Sequence, residues 1–460
     1  MPTARDIVDQ LSRLLPPERV LSAPSDLEHY GRDWTRQVAP APSAVVLPGS
    51  VEQVQALVAW ARRTGVPLVP SGGRTGLSGG AVAANGEVVV AMDRMNRVLG
   101  FDAADRRLRV QAGVVTESVQ REARARGLLY PVDFASRGSS QIGGNIATNA
   151  GGIKVLRYGL TRQWVSGLKV VTGTGDVLDL NQGLVKNATG YDLRHLFIGS
   201  EGTLGFIVEA DLVLAPQPPE QQVMVLAVPA LEALMPLFDR LRSGLVLGAF
   251  EFFTDQALSH VLAHGGKRPF QGSAPFYVLA EFDADDEAAL ACFEAAADAG
   301  EVADGVVSQS RAQAAELWHL REGITESLAS RTPYKNDVSV RIGEVPAFLS
   351  RMQALFQREY PQFEVVWFGH LGDGNLHISV LRPQDMAADR FAAECGRVTR
   401  LLGEVLHEMG GSISAEHGLG LLKKPFLRYV RSEEEIALMR GLKRVFDPDG
   451  ILNPGKVVDL

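Results

Sequence analysis

Two histidines and a glutamate are the residues of this sequence best suited to holding a metal ion. His370 and His377 lie on either side of Asp373-Gly374 in an apolar stretch, which predicts a β-hairpin with a two-residue type I′ turn. That register places His370 directly opposite His377, with Cβ atoms about 5 Å apart. Glu416, which lies among small residues, is the candidate third ligand for a divalent ion such as Zn²⁺, with manganese or iron left open.

His417, next to that glutamate, is a candidate general base, because an imidazole with an ordinary pKa of about 6.5 exchanges protons near neutrality. A hydrogen-bonded structural role for His417, and a plain surface pair for the two hairpin histidines, are the competing interpretations. Arg321 and Thr325 are predicted on one helix face, and together with Lys335 they could clamp a carboxylate. Spacing alone favours an ordinary solvated helix face there.

Three glycine-rich clusters indicate a large bound ligand. The first, Pro70–Gly80, has five glycines in eleven residues, and its backbone N–H groups can turn toward one anion such as a pyrophosphate. The second, Ser136–Gly152, and the third, Gly199–Gly205, consist mainly of small residues. Each cluster alone is compatible with a surface turn or a tight packing contact, whereas three together favour one extended ligand with many polar contacts.

The first cluster is predicted to follow a β-α-β unit. Ser43–Leu47 and Val66–Val69 are short apolar runs typical of buried strands, and Val51–Arg63 has apolar residues at helical spacing. Ser50 suits the capping position before this helix, and Gly65 suits its end. Because another strand rather than a helix follows the glycines, the pattern differs from the Gly-x-Gly-x-x-Gly dinucleotide fingerprint.

Other elements follow from periodicity. Residues 1–42 are predicted as a helical lead and a proline-containing loop. A composition change at Pro216–Pro219 predicts a second domain in which helices alternate with strands. The predicted helices are Ala230–Leu241, Asp285–Ala299, Ser310–Ala329 and Ser432–Phe446, and the predicted strands include Val223–Ala227, Ala274–Phe282 and Val338–Ile342.

Length and composition exclude several classes of protein. The chain has 460 residues, which predicts two or three domains. A net charge of −8 argues against a general nucleic-acid surface. Cys292 and Cys395 are the only cysteines, which is typical of a reducing compartment. With no secretory signal and no apolar run long enough to cross a bilayer, the expected location is the cytoplasm.

The motifs together resemble a known family. The three glycine clusters, with Lys186–Leu193, resemble the FAD domain of flavoproteins of the vanillyl-alcohol oxidase type. The second half, with Gly-His-Leu-Gly-Asp-Gly-Asn-Leu-His at 369–377 and Ala-Glu-His-Gly-Leu-Gly at 415–420, is similar to the D-2-hydroxy-acid dehydrogenase branch, as is the tail Phe446–Lys456. The resemblance extends from about residue 40 to residue 456.

This resemblance implies an α+β fold with a two-part FAD-binding domain and a cap domain that contains an antiparallel sheet. The implied bounds are 1–215 for the FAD domain, 216–425 for the substrate domain with its metal site, and 426–460 for a segment that returns to the FAD domain. Some relatives tether FAD through a histidine in the first cluster. Arg74 fills that place here, so non-covalent FAD is expected.

The resemblance also assigns roles to individual residues. It makes His370, His377 and Glu416 the metal ligands and His417 the catalytic base. The implied substrate contacts are Arg321, Thr325, Lys335, Asn375 and Ser379. The implied FAD contacts are Pro70, Ser71, Gly72, Gly73, Arg74, Thr75, Gly76, Ser78, Pro131, Ser136, Gly143, Gly144, Asn145, Ala147, Thr148, Gly151, Gly152, Glu201, Gly202, Ile207 and Asn453.

The implied reaction is hydride transfer from C2 of a D-2-hydroxy acid to flavin N5. The Arg321, Thr325 and Lys335 set resembles that of the D-2-hydroxyglutarate dehydrogenase group. Ser379 stands where that group often has asparagine, so D-lactate, D-malate and glycolate stay open as substrates. A flavin-free metal hydrolase and a non-catalytic flavin-binding subunit are more remote possibilities. The implied electron acceptor is an electron-transfer flavoprotein or a quinone-like carrier, and a homodimer is left open.

Overall fold

The β-α-β unit predicted before the first glycine cluster is present in the computed structural model, which describes residues 2–460. Its strands are Ala44–Val46 and Leu68–Ser71, and its helix is Val51–Thr64. The helix begins where the Ser50 hydroxyl accepts a hydrogen bond from the backbone N–H of Gln53, and it ends at Gly65 with φ of 69°. Local capping chemistry therefore sets both ends of this helix, as predicted.

The secondary structure mixes helices and strands throughout the described chain, which confirms the α+β fold class. The strands are β1 (Val20–Leu21), β2 (Ala44–Val46), β3 (Leu68–Ser71), β4 (Val88–Ala91), β5 (Val98–Asp102), β6 (Arg107–Gln111), β7 (Leu128–Leu129), β8 (Val165–Thr172), β9 (Val177–Leu180), β10 (Gly205–Val213), β11 (Ala215–Pro216), β12 (Gln221–Val228), β13 (Leu247–Thr254), β14 (Phe276–Asp283), β15 (Asp304–Val307), β16 (Tyr334–Ser339), β17 (Glu364–His370) and β18 (Asn375–Leu381). The α-helices are α1 (Ala4–Leu11), α2 (Pro24–Gly31), α3 (Val51–Thr64), α4 (Thr116–Arg124), α5 (Ile142–Thr148), α6 (Val155–Tyr158), α7 (Thr161–Trp164), α8 (Arg194–Phe197), α9 (Leu234–Gly244), α10 (Asp255–Ala263), α11 (Asp286–Asp298), α12 (Arg311–Glu322), α13 (Ile324–Ser327), α14 (Val345–Glu359), α15 (Ala388–Met409) and α16 (Glu433–Phe446).

The first of two units contains the chain up to Gly152, Gly159–Gln217 and Glu416–Leu460. It has a four-stranded sheet in the order β1-β2-β4-β3, in which β2, β4 and β3 run parallel. It also has a five-stranded antiparallel sheet in the order β5-β6-β10-β8-β9. The helical lead predicted from Met1, which lies outside the described residues, is represented by α1.

The second unit contains Ile153–Tyr158 and Pro218–Ala415. Its centre is a seven-stranded sheet in the order β15-β12-β14-β13-β17-β18-β16, and every neighbouring pair in it is antiparallel. Apolar side chains of α10, α12 and α13 pack with strand residues such as Phe253 and Phe368 in one buried cluster. One face of the sheet is therefore covered by helices, and Arg321 of α12 reaches the sheet from this side.

A local prediction for the second unit was wrong in its register. The hairpin at β17–β18 pairs His370 with Asn375 and Phe368 with His377, so His370 does not face His377 directly. Residues 371–373 form a 3₁₀ turn closed by Gly374 with φ of 80°, because the Asp373 carboxylate accepts a hydrogen bond from the Asn375 N–H (3.1 Å) and stabilises the longer loop.

The segments around the predicted carboxylate clamp also differ from the prediction. The single helix predicted over 310–329 is divided into α12 and α13, so Arg321 and Thr325 do not share one continuous helix. At the junction, a Cβ on Gly323 would lie 2.7 Å from the carbonyl oxygen of His319. The strand predicted over 338–342 lies earlier, at β16, because its register is set by pairing with β18.

Candidate active site

The three glycine clusters meet in the first unit. A Cβ on Gly73 would lie 2.2 Å from the carbonyl oxygen of Ser139, so the first and second clusters touch through their backbones. A Cβ on Gly202 would lie 2.3 Å from Cγ of Pro70, which joins the third cluster to the first. The backbone N–H of Glu201 donates to the carbonyl of Ala147 in the second cluster (2.8 Å). Glycine is required at Gly73 and Gly202 because no side chain fits between the loops there.

Buried polar atoms at this junction fit a polar ligand such as FAD. Ser71 Oγ, Gln141 Oε1 and Asn453 Oδ1 are buried and have no hydrogen-bond partner among residues 2–460. Buried polar atoms in proteins are nearly always hydrogen-bonded, so such atoms indicate a ligand that supplies the partner. A Cβ on Gly144 would meet no atom within 4 Å, which leaves open space beside them. Small residues, open space and buried polar atoms without partners together suit a large polar ligand.

The other residues predicted to bind FAD lie on the same loops, and several have protein partners. Arg74 has φ of 59°, forms an ion pair with Asp93 (3.3 Å) and lies over the ring of Tyr30. The Asn145 amide donates to Thr116 Oγ1 (2.6 Å). The remaining members lie in the loop after β3, in the loops before and after α5, within α5 itself, or in the first part of β10, namely Gly72, Thr75, Gly76, Pro131, Ser136, Gly143, Thr148, Gly151, Gly152 and Ile207.

The segment that carries the candidate base is held by two residues that the resemblance assigned to FAD. Glu201 accepts hydrogen bonds from the backbone N–H groups of Leu419 (2.7 Å) and Gly420 (2.8 Å). The Ser78 hydroxyl donates to the carbonyl of His417 (2.7 Å). Burial raises the pKa of Glu201, although those two N–H groups oppose the shift. The backbone around His417 is thus fixed within the first unit.

The C-terminal tail returns to these loops. The Asn453 amide donates to the carbonyls of Gly80 (2.9 Å) and Glu201 (2.7 Å), which leaves its Oδ1 as one of the orphaned atoms. Lys456 Nζ donates to the carbonyl of Val82 (2.8 Å). Burial lowers the pKa of Lys456 to about 8. The tail therefore anchors the first and third clusters through buried polar contacts.

In the second unit, five of the candidate residues stand on one face of the sheet in adjacent cross-strand rows, namely His370, Asn375, His377, Ser379 and Lys335. One row pairs His370 with Asn375 and Asn375 with Ser339. The next pairs Phe368 with His377 and His377 with Asp337. The third contains Val366, Ser379 and Lys335. Because alternate residues of a strand point to the same face, these side chains form one polar patch beside an apolar core.

The two histidines of this patch are diagonal neighbours. Their ring centroids are 5.2 Å apart and the rings are nearly perpendicular. At least one ring nitrogen from each lies within 4.8 Å of one from the other, which suits two ligands of one ion. Glu416 follows Ala415, the last residue of the second unit, and Ser412 is hydrogen-bonded to Ser339 on β16.

Glu251 of β13 fixes the orientation of His370. His370 Nδ1 lies 2.8 Å from Glu251 Oε1, and both side chains are buried. The same carboxylate forms an ion pair with Arg321, whose Nε lies 2.9 Å from Oε2. Burial alone would raise the pKa of Glu251, but the charges and hydrogen bonds of His370 and Arg321 outweigh it, so that pKa is lowered. Glu251 is therefore a carboxylate that is hydrogen-bonded to His370 on one side and ion-paired with Arg321 on the other.

Asp337 has a similar relation to the other histidine. Its Oδ1 accepts a hydrogen bond from the Asn375 amide (2.7 Å) and lies 3.7 Å from His377 Nδ1. Asp373, in the turn between the histidines, has its pKa raised to about 6 by burial. Each histidine thus has a buried carboxylate at its Nδ1 side, an arrangement found around metal-binding histidines.

The substrate residues predicted from the sequence are distributed unevenly over the patch. Arg321 reaches it from α12, with its guanidinium 4.9 Å from the ring centroid of Phe368. Its Nη2 is buried without a hydrogen-bond partner in the part of the chain that the structure describes. Lys335 lies at the exposed end, and partial desolvation lowers the pKa of its ammonium. Thr325 is exposed on α13, whereas the Arg321 side chain is buried.

Local sequence patterns do not single out Glu251, Asp337 or Gln141 as site residues. Asp337 lies in the mostly polar strand Tyr-Lys-Asn-Asp-Val-Ser, whereas Glu251 is the single carboxylate in the largely apolar strand Leu-Gly-Ala-Phe-Glu-Phe-Phe-Thr. A buried carboxylate needs a charged or hydrogen-bonding partner, so an isolated acid in such a strand was the available indication. Gln141 directly precedes α5 inside the second cluster, and no local pattern distinguishes it from the small residues around it.

Comparisons with known proteins identify the family of this chain. Residues 42–181 match the family described as FAD binding domain, and residues 217–457 match FAD linked oxidases, C-terminal domain. The chain is 61% identical over 453 residues to a D-2-hydroxyglutarate dehydrogenase of Xanthomonas citri pv. viticola, covering 98% of this chain and 96% of that one. It is 55% identical over 456 residues to the D-2-hydroxyglutarate dehydrogenase of Stutzerimonas stutzeri, covering 98% of each.

A solved structure extends the comparison to the fold. The structure of p-cresol methylhydroxylase with substrate bound superposes with a TM-score of 0.78 at 16% identity, covering 99% of this chain and 97% of that one. The shared fold confirms the architecture expected from the resemblance. No helix within residues 2–460 combines the length and the apolar character needed to cross a membrane. The chain is an FAD-dependent dehydrogenase that belongs to the FAD-linked oxidases of the vanillyl-alcohol oxidase type, in the family of the D-2-hydroxyglutarate dehydrogenases.

Proposed function

We propose that this chain oxidises D-2-hydroxyglutarate to 2-oxoglutarate with FAD and a divalent metal ion. The observation that carries the proposal is the polar face of the seven-stranded sheet. There, an imidazole pair shares the face with two cationic side chains, Arg321 and Lys335. The names of the two bacterial relatives agree with this substrate.

The proposed site has three ligands and a base. His370 and His377 would hold the ion through their Nε2 atoms, since their Nδ1 atoms face Glu251 and Asp337. Glu416 completes the ligand set, and Zn²⁺ is the proposed ion because two imidazoles and one carboxylate leave coordination positions open for substrate. When bound, FAD supplies the acceptor for the hydride from C2, and the metal ion supplies Lewis-acid assistance at the substrate hydroxyl.

The remaining roles, proton removal and substrate binding, belong to side chains of this protein. His417 removes the proton of the 2-hydroxyl group while C2 loses its hydride, so that the C2–O bond becomes a carbonyl. Glu201 and Ser78 support this role, because they hold the backbone on which His417 stands. Arg321 and Lys335 bind carboxylate, and a substrate held at both ends is positioned for transfer.

A dicarboxylate substrate follows from the number of cations. A 2-hydroxy acid with a single carboxylate would need only the metal ion and one cationic side chain. This face offers two cationic side chains in addition to the proposed metal ion, a buried arginine and an accessible lysine. A second carboxylate would provide a partner for the buried Nη2 of Arg321 or for the Lys335 ammonium. D-lactate and glycolate lack that group, and D-malate has it on a shorter chain.

Anaerobic flavin reduction tests the proposal. The purified yellow protein is mixed with D-2-hydroxyglutarate, D-malate, D-lactate, glycolate or L-2-hydroxyglutarate, and the loss of flavin absorbance is followed by stopped flow. The expected result is fastest bleaching with D-2-hydroxyglutarate and none with its L enantiomer. Faster bleaching with D-lactate or glycolate would assign the chain to those substrates instead.

Metal analysis of the same samples separates a dehydrogenase from a hydrolase and from a passive flavin-binding subunit. A colourless protein that contains a stoichiometric metal ion would support a hydrolase, and a yellow protein that no acid bleaches would support a passive subunit. Removing the metal with a chelator is expected to abolish bleaching while FAD stays bound. The acceptor proposed for turnover is an electron-transfer flavoprotein or a quinone-like carrier.

A further inference from the structure

Glu251 occupies an unusual position for a carboxylate. It lies in the middle of β13, in the sequence Leu-Gly-Ala-Phe-Glu-Phe-Phe-Thr, and is 1% exposed. Burying an ionised carboxylate costs several kcal/mol unless its oxygens are well partnered. Here one oxygen faces His370 Nδ1 at 2.8 Å and the other faces Arg321 Nε at 2.9 Å. The two partners belong to two different parts of the proposed site.

Because its other oxygen is ion-paired with Arg321, the Glu251 carboxylate offers Oε1 to His370 as an acceptor, and this contact decides the tautomer of the ring. Nδ1 must carry the proton, and Nε2 is then the basic nitrogen that can bind a metal ion. The carboxylate also fixes the plane of the imidazole. Similar carboxylate partners of metal-binding histidines change metal affinity or activity about 10- to 100-fold when they are removed.

The contact with Arg321 has a different consequence. The guanidinium is buried, and it lies over the face of Phe368. Glu251 provides the negative charge that allows a permanent cation to remain in this apolar surrounding. Because Glu251 forms its ion pair with Nε, the adjacent Nη2, which is buried and has no hydrogen-bond partner among residues 2–460, is left for another acceptor.

We propose that Glu251 is a positioning residue that couples metal binding at His370 to carboxylate recognition at Arg321. This inference rests on the proposed function, because it assumes that His370 binds a metal ion and that Arg321 binds substrate. One carboxylate determines which nitrogen of His370 is basic and which nitrogen of Arg321 is available to another acceptor. If Glu251 is replaced by a residue with one acceptor oxygen, its contact with either His370 or Arg321 is lost.

Glu251→Gln tests this coupling because glutamine has nearly the same shape but a single acceptor oxygen. If that oxygen faces Arg321, the amide NH₂ faces His370 and favours the tautomer with a proton on Nε2, which weakens metal binding. If the oxygen faces His370, the NH₂ faces Arg321, and the guanidinium loses its counter-charge. The first orientation lowers metal affinity, and the second raises KM for the acid.

The matched control is Glu281→Gln. Glu281 is a buried carboxylate on the neighbouring strand β14, where it pairs with Lys154 and accepts a hydrogen bond from Trp318 Nε1 (3.1 Å). Its partners lie outside the proposed site, so the control reproduces the general cost of neutralising a buried acid in this sheet. Both variants are compared with the parent protein for FAD content, thermal midpoint, Zn²⁺ affinity and steady-state kinetics.

Zn²⁺ affinity is measured without substrate, by competition with a chromophoric chelator. For Glu251→Gln we expect either an affinity at least about tenfold lower or, with affinity retained, a KM for D-2-hydroxyglutarate at least about tenfold higher with a smaller change in kcat. Glu281→Gln should change neither quantity more than about twofold. If Glu251→Gln leaves both quantities unchanged, the coupling role is wrong, whatever happens to its thermal midpoint.

Two further outcomes keep the inference separate from the proposed function. A parent protein that binds no Zn²⁺ and oxidises the acid equally well after chelation refutes the metal site itself, and the inference falls with it. A parent protein that needs Zn²⁺, together with a Glu251→Gln variant that matches it in Zn²⁺ affinity and in KM, refutes the inference alone. If Glu251→Gln does not fold, Glu251→Asp is used, because the shorter side chain keeps the charge but cannot reach both partners, and the same two quantities decide.

Discussion

The first unit shapes its candidate site with backbone, whereas the second unit builds its candidate site from side chains. In the first unit, Gly73 and Gly202 allow loops to touch where a single added carbon would collide with Ser139 or Pro70. In the second unit, charged and imidazole side chains stand on a regular sheet at spacings set by strand pairing. Small residues define one site, and functional groups define the other.

This difference has consequences for how each site tolerates change. A loop junction made of glycine fails when any atom is added, because neighbouring backbone cannot move aside cheaply. A sheet face accepts changes of shape more easily but fails when a charge or a hydrogen-bonding atom is removed, because its buried partner is left unsatisfied. Adding an atom should therefore be the damaging change in the first unit, and removing a charge or a hydrogen-bonding atom should be the damaging change in the second.

The largest effect is expected for His417→Ala. The first unit should keep its FAD, because the residues that hold this segment, Glu201 and Ser78, bind backbone atoms. Loss of a general base lowers the rate of the reaction about 10²- to 10⁴-fold, which stopped-flow flavin reduction measures. His264→Ala, at an exposed histidine of the second unit, is the control. Flavin reduction at the parent rate would remove His417 from the role of base.

Gly73→Ala should have the next largest effect, and it tests the backbone-built site. Its Cβ would lie 2.2 Å from the Ser139 carbonyl oxygen, so we expect a loss of about 1–3 kcal/mol in the free energy of unfolding together with loss of bound FAD. Denaturant unfolding and the ratio of flavin to protein absorbance provide the two measurements.

Gly144→Ala is the matched comparison, because its Cβ would meet no protein atom within 4 Å. Alanine favours the helical backbone of α5 by about 0.5–1 kcal/mol, so the protein without FAD should be no less stable. If the flavin occupies the open space, the FAD content should nevertheless fall. Full FAD content in this variant would show that the flavin does not occupy this space.

Lys335→Met tests the side-chain-built site. A hydrogen bond to a charged group contributes about 1.5–3 kcal/mol, so KM for D-2-hydroxyglutarate should rise roughly 10- to 100-fold. KM for D-lactate, which has no distal carboxylate, should change little. Lys267→Met, at an exposed lysine of the same unit, is the control. Equal effects on both acids would argue against contact with the distal carboxylate.

The last prediction is a pH dependence of stability in the first unit, which needs no substitution to be observed. Burial lowers the pKa of Lys456 from 10.5 to about 8, so between these values the unfolded chain binds a proton that the folded chain has lost. The free energy of unfolding should therefore rise with pH across this window, by up to about 3 kcal/mol. Lys456→Met removes this contribution, so its thermal midpoint should rise less than that of the parent protein across the same window. Parallel curves for the two proteins would contradict the shift.

Several elements could be predicted because their causes are local. Ser50 and Gly65 determine the ends of α3 through capping, and composition alone identified the three glycine clusters. The two hairpin histidines could be chosen from their spacing around a turn. The turn itself was assigned wrongly, because the Asp373 side chain stabilises a longer loop that the Asp-Gly pair does not reveal.

The order of amino acids was enough to say which residue types were available for chemistry and in which half of the chain each lies. It was not enough to say which of them share an environment, and that information came from the folded chain. Glu251 lies 119 positions from His370 and belongs to another strand, so no local pattern could connect them. The pairing of β13 with β17 brings the two side chains together, and long-range contacts of this kind depend on the packing of the whole sheet.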